Sequence, residues 1–174
     1  MSDAETDSLS PISFTYESAG HGWARVWISD RQTTYFMDPS YVPSDPLFCL
    51  MAAVLKVLTY SDEAECTWFY EPAKDRWLLV RDGDQLHITI RRVRDRFSYP
   101  NLPPELGEVK FSTTCDLWKF AHKVRLAVSR LEPVAERYYD PTPVKGTAEY
   151  RALCTFLDEH KEAQHPPSRK SRKR

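Results

Sequence analysis

From Ile12 the chain alternates apolar and polar positions with the two-residue period of a strand. Ile12, Phe14 and Tyr16 share one face. Ala24, Val26 and Ile28 share another and alternate with Trp23, Arg25 and Trp27. Tyr35 and Met37 stand opposite Thr34 and Phe36. Such runs, separated by turn residues, predict three antiparallel strands. Gly20 and Gly22 around His21, and the polar stretch 29–32, mark the turns.

The period then changes. Asp45 suits an N-cap, and Pro46 suits the first helical position, where a missing N–H costs nothing. Leu47, Leu50, Met51, Val54, Leu55 and Leu58 recur at helical spacing, widened by Phe48, Ala52 and Val57. That stripe predicts a helix over 47–59 lying against a sheet. Three further alternating runs follow, at 65–70, 76–81 and 85–91. Residues 71–75 read as a turn, and Asp82-Gly83-Asp84 as a tight hairpin. In the last run Leu86, Ile88 and Ile90 face inward, while His87, Thr89 and Arg91 face out.

Pro100, Pro103, Pro104 and Gly107 make 94–109 a loop. Val109-Lys110-Phe111 reads as a short edge strand. A second helix is predicted from near Thr113, with Asp116 completing an approximate capping box. Its stripe is Leu117, Phe120, Ala121, Val124, Val128 and Leu131, and Pro133 kinks or ends it. A third helix is predicted over 147–160, with Tyr150, Leu153, Cys154 and Leu157 on one side. The element order is β-β-β-α-β-β-β-α-α. The expected class is α+β, with two three-stranded meanders forming one antiparallel sheet of about six strands. The helices are placed on one face. Residues 1–10 and 163–174 read as disordered ends around a single domain at 11–162.

Charge divides the chain. The formal net charge is −1, but the tail at 166–174 holds Arg169, Lys170, Arg172, Lys173 and Arg174, which leaves −6 on residues 1–165. An acidic body argues against a general nucleic-acid surface on it. The basic tail reads as a solvated end, a nucleic-acid contact or a nuclear import signal. The start of the chain shows no apolar signal-peptide core. The apolar run at 47–58 is too short to span a bilayer and is broken by Lys56. The expectation is a soluble cytoplasmic protein with no membrane partner.

The residues that carry chemistry form no catalytic pattern. The four cysteines, Cys49, Cys66, Cys115 and Cys154, lack Cys-x-x-Cys and zinc spacing. Cys49 and Cys66 read as small buried hydrophobes, and Cys115 as a buried thiol near a helix start. His21, His87, His122, His160 and His165 show no metal-ligand pairing. There is no Gly-x-Ser-x-Gly, and the five glycines build no phosphate loop. No catalytic residue, metal or cofactor is assigned, and the chain reads as a binding protein.

The composition does single out one surface. Glu71-Pro72 lies across a turn from Arg76-Trp77, and Trp23, Trp27, Trp68, Trp77 and Trp118 are many for a small domain. Core packing accounts for most of them. The expected protein-binding face is the uncovered side of the sheet, around Trp27, Arg25, Glu71, Arg76, Arg81 and His87, with Thr89 and Arg91 beside it. Mixed aromatic and charged residues suit an interface.

The series Gly22-Trp23-Ala24-Arg25-Val26, Tyr41 before the apolar helix, Cys66-Thr67-Trp68 with Glu71-Pro72, Arg76-Trp77 and Arg81-Asp82-Gly83-Asp84 resembles a family of uncharacterised bacterial α+β proteins. The helix with Leu117, Phe120, Ala121 and Val124 fits the same pattern. The resemblance covers residues 12–140, departs at Pro133 and in the basic tail, and implies a fold rather than an activity. By analogy of class, it implies a non-catalytic bacterial protein-binding module, such as an immunity or regulatory protein, whose partner is another protein. The alternative is a nucleic-acid-associated regulator acting through Arg169, Lys170, Arg172, Lys173 and Arg174.

Overall fold

In a computed structural model, which describes residues 9–94, 103, 105–131 and 144–164, the alternating runs form seven antiparallel strands. The first three, β1 (Ser13–Gly20), β2 (Trp23–Ser29) and β3 (Thr34–Met37), make one sheet in that order. Phe14 lies opposite Ile28, and Tyr16 opposite Val26, so the inward residues of both strands meet. The second sheet holds β4 (Glu63–Phe69), β5 (Lys74–Asp82), β6 (Gln85–Val93) and β7 (Glu108–Asp116). Gly83 turns β5 into β6 with φ +58, a conformation that a side chain disfavours.

The expected single sheet of six strands is therefore two sheets, of three and four strands. They touch at both margins. Ser40 bridges Trp23 on one side and Phe69 on the other. At the far margin the Ser10 N–H donates to the Thr114 carbonyl at 3.2 Å. The extra strand is β7, which runs past the short edge strand expected at Val109-Lys110-Phe111 to Asp116. Phe111, Thr113 and Cys115 point inward and alternate with Ser112 and Thr114, and the whole run pairs with β6. Strand pairing prevails over the helix-start pattern there. The second helix begins four residues later than expected near Thr113, at Leu117.

The first helix, α1 (Pro46–Thr59), starts where its cap demands. Asp45 Oδ1 accepts the N–H groups of Leu47 (2.9 Å) and Phe48 (3.0 Å). Asp116 plays the same part for α2 (Leu117–Arg130), accepting the Lys119 N–H at 2.7 Å. A 3-10 turn (Val144–Gly146) leads into α3 (Ala148–Gln164), longer at its C-terminal end than the predicted 147–160. α1 packs on β4 and β5, α2 on β1 and β7, and α3 on α1 and α2. Pro133 and the tail from residue 165 lie outside the described residues.

Between the sheets runs an aromatic chain. Trp68 and Trp77 are fully buried with ring centroids 4.6 Å apart. Phe14 meets Trp77 edge-on at 6.3 Å and Phe120 at 6.0 Å, and Tyr16 meets Trp68 at 6.4 Å. Edge-on contacts of this kind add to the area the rings bury. Among the described residues no helix is long and apolar enough to cross a membrane.

Candidate functional site

One carboxylate lies wholly inside the protein. Asp75, in β5, has no exposed surface. A buried carboxylate is tolerated only with donors around it, and Asp75 has them. The Tyr35 hydroxyl from β3 donates at 2.9 Å, and the Tyr70 hydroxyl at 2.7 Å. Arg92 from β6 grips both oxygens, Nε at 2.9 Å and Nη2 at 3.1 Å. Its guanidinium also lies over the Tyr70 ring, 4.6 Å from the centroid, and over Tyr35 at 5.8 Å. Both tyrosines are pushed above their ordinary range, first by burial and then by the Asp75 carboxylate. Arg92 is pushed up chiefly by its hydrogen bond to Asp75. With its donors in place, this cluster ties the three-stranded sheet to the four-stranded one. It was missed in the sequence, where Asp75 reads as a turn residue.

The tyrosine shifts have a measurable consequence. Unfolded tyrosines release their protons near pH 10.0, while Tyr35 and Tyr70 hold theirs longer in the folded chain. Their contribution to stability is complete below that pH and is lost as pH rises above it. Each should add a slope of about −1.4 kcal/mol per pH unit in that window. Cys66 and Cys115, the latter pushed up to about 12 by burial, act with the same sign. Comparing urea unfolding of wild type and Tyr70→Phe at rising pH isolates the tyrosine share. Equal slopes would remove Tyr70 from this account.

The residues expected to share one uncovered face are divided by the structure. Arg25 and Trp27 point outward from the three-stranded sheet, opposite the buried Ala24, Val26 and Ile28. Trp27 is half-buried and meets Phe36 of β3 at 5.3 Å, with Phe36 46% exposed. His87, Thr89 and Arg91 lie on the outer side of the other sheet, as their alternation predicts. His87 is exposed and contacts the Thr114 hydroxyl at 2.9 Å. Glu71 is exposed at the turn before β5.

Arg76 and Arg81 depart from the expected face. Arg76 is only 4% exposed. Its Nε and Nη2 grip Glu65 at 2.7 and 2.9 Å, and Nη1 donates to the Pro103 carbonyl at 2.6 Å. Pro103 and residues 105–107 lie over this side of the sheet, and Arg91 donates to the carbonyls of Glu105 and Gly107, both at 3.0 Å. Gly107 is needed there, because a Cβ would sit 2.8 Å from the Arg92 carbonyl oxygen. Arg81 points to the opposite side from Arg76. Its Nη1 donates to the Val57 and Leu58 carbonyls at 3.0 and 3.2 Å, capping the end of α1. Both arginines are therefore framework.

Trp118, at the start of α2, holds α3. Its ring stacks on His160 at 3.3 Å and on Phe156 at 6.0 Å, and its Nε1–H donates to Asp84 at 2.8 Å. Among the described residues no three of His, Cys, Asp and Glu gather in metal-binding geometry. The tail residues Arg169, Lys170, Arg172, Lys173 and Arg174 lie outside the described residues. No family model, curated protein or solved structure matches the chain, so the motif resemblance stands on its residues alone.

Proposed function

We propose that the chain is a non-catalytic protein-binding module, in the manner of a bacterial immunity or regulatory protein. Its partner docks on the outer face of the three-stranded sheet. The observation that carries this reading is the Trp27–Phe36 pair. The inner face of the same strands already supplies the core through Val26, Ile28 and Met37, all fully buried. The core thus leaves the outward pair without a packing role. Aromatic anchors with a polar surround are the usual centre of a protein interface. Here the surround is Glu17 and Arg25, which face each other across β1 and β2. A fitting partner presents an apolar side chain to the aromatic pair and charges of both signs around it.

The cheapest test separates folding from binding. Phe36→Ser should cost about 1 kcal/mol or less, the scale of one exposed cross-strand pair. The same change, or Trp27→Ser, should abolish retention of a specific host protein on the immobilised chain. His87→Ala, on the other sheet, should leave it intact. Equal retention by all variants removes the docking face.

A further inference from the structure

The three-stranded sheet ends at an open edge. β3 pairs with β2 on one side only. Antiparallel pairs alternate between those that exchange backbone hydrogen bonds and those that do not. Two bonds fix the phase here. The Asp30 N–H donates to the Thr33 carbonyl at 3.0 Å, and the Ala24 N–H to the Pro39 carbonyl at 2.9 Å. The bonded pairs between them are Ile28–Tyr35 and Val26–Met37. Thr34 and Phe36 fall in the other phase, so their N–H and C=O groups point away from β2. Both residues are exposed, and among the described residues these backbone groups have no hydrogen-bond partner.

Ser40 shows what this edge takes. It has the same phase as Thr34 and Phe36, and its N–H donates to the Phe69 carbonyl at the end of β4 at 2.8 Å. Beyond Phe69 the chain turns, the Tyr70 N–H donating to the Ala73 carbonyl at 2.8 Å, and the pairing stops short of Phe36. Exposed edges in folded proteins are usually guarded by charge. The other edge strands follow that rule: β1 carries Glu17, β4 carries Glu63 and Glu65, and β7 carries Glu108 and Lys110. The β3 run Thr-Tyr-Phe-Met carries no charge. The edge is also continuous with the aromatic pair, because Phe36 belongs to both.

We propose that this edge takes an extended segment of the partner as an added strand, hydrogen-bonded to Thr34 and Phe36 and laying an apolar side chain beside the Phe36 ring. The assignment rests on the docking face proposed above and names the partner's chemistry: an uncharged extended run with apolar residues at every second position. The test uses the full chain, followed by amide chemical shifts and hydrogen exchange. Its probe is a short peptide of alternating valine and threonine with lysine at each end, and its control is a proline-substituted peptide of the same charge. Saturable binding of the first peptide alone is expected, with slowed exchange of the Thr34 and Phe36 amides. Thr34→Pro removes an outward N–H and no bond to β2, a change that edge strands tolerate. It should weaken binding at least about tenfold, the scale of one hydrogen bond lost with its partner left unpaired. If proline disturbs folding, Thr34→Lys, which puts a charge on the edge, carries the same expectation. Trp27→Ser strips the aromatic face and leaves every backbone group in place, so it separates the two readings. Host-protein retention lost with Trp27→Ser but kept with Thr34→Pro retains the docking face and rejects the edge. Absent peptide binding, equal binding of the control, or binding indifferent to the Thr34 changes overturns the proposal. So does a concentration-dependent dimer that already protects these two amides, which would give the edge to a second copy of the chain.

Discussion

Replacing Asp75 by alanine is expected to cost about 3–5 kcal/mol of folding stability, the scale for breaking a buried charge pair from one side. The loss exceeds that of any one contact. Without the carboxylate, the Tyr35 and Tyr70 hydroxyls lose their acceptor, and the Arg92 guanidinium, packed over two rings, loses the carboxylate it grips. Asp75→Asn should be milder than alanine, since an amide oxygen still accepts from the tyrosines, but it keeps part of the cost because its NH2 turns a donor toward the Arg92 N–H. A second change, Arg92→Met, should return part of the loss in the Asp75→Ala background, because it removes the orphaned charge. Urea unfolding of wild type, Asp75→Ala, Arg92→Met and the double variant measures this coupling. A cost below about 1 kcal/mol for Asp75→Ala would place the cluster with ordinary surface pairs.

Trp77 carries the second large effect. Its ring touches Trp68 of the neighbouring strand and Phe14 of the other sheet, so truncation opens a cavity between the two sheets. Trp77→Ala should cost about 3–5 kcal/mol. Its indole Nε1–H is buried without a hydrogen-bond partner among the described residues. Trp77→Phe therefore sacrifices ring area but no hydrogen bond and should be clearly milder than alanine. If phenylalanine proved as damaging as alanine, the indole N–H would have a partner that this geometry lacks.

Local signals read well from the sequence. The start of α1 was legible because its cap and first-turn proline are neighbours in the chain, and the inward sets of β1, β2 and β6 follow from simple alternation. The start of α2 was misread because Thr113 and Asp116 mimic a capping box. The Phe111-Thr113-Cys115 alternation was the competing signal, and only pairing with β6 decides between them. Arg76 and Arg81 are five residues apart in one strand, so parity alone places them on opposite sides. The Asp75 cluster was hidden for another reason. Tyr35 is 40 residues from Asp75 and Arg92 is 17, and nothing local marks a carboxylate at a strand start as buried.

The docking face is tested most directly by site-specific photocrosslinking in the native host. A photoreactive phenylalanine analogue at Phe36 reports contacts at the aromatic pair. The same group at Glu63, an exposed position on the other sheet, serves as the control. The expected result is one defined crosslinked protein from position 36, absent from position 63 and lost when Trp27→Ser is added. Crosslinks of equal yield from both positions, or none from position 36 with the chain folded and abundant, would contradict a partner on this face.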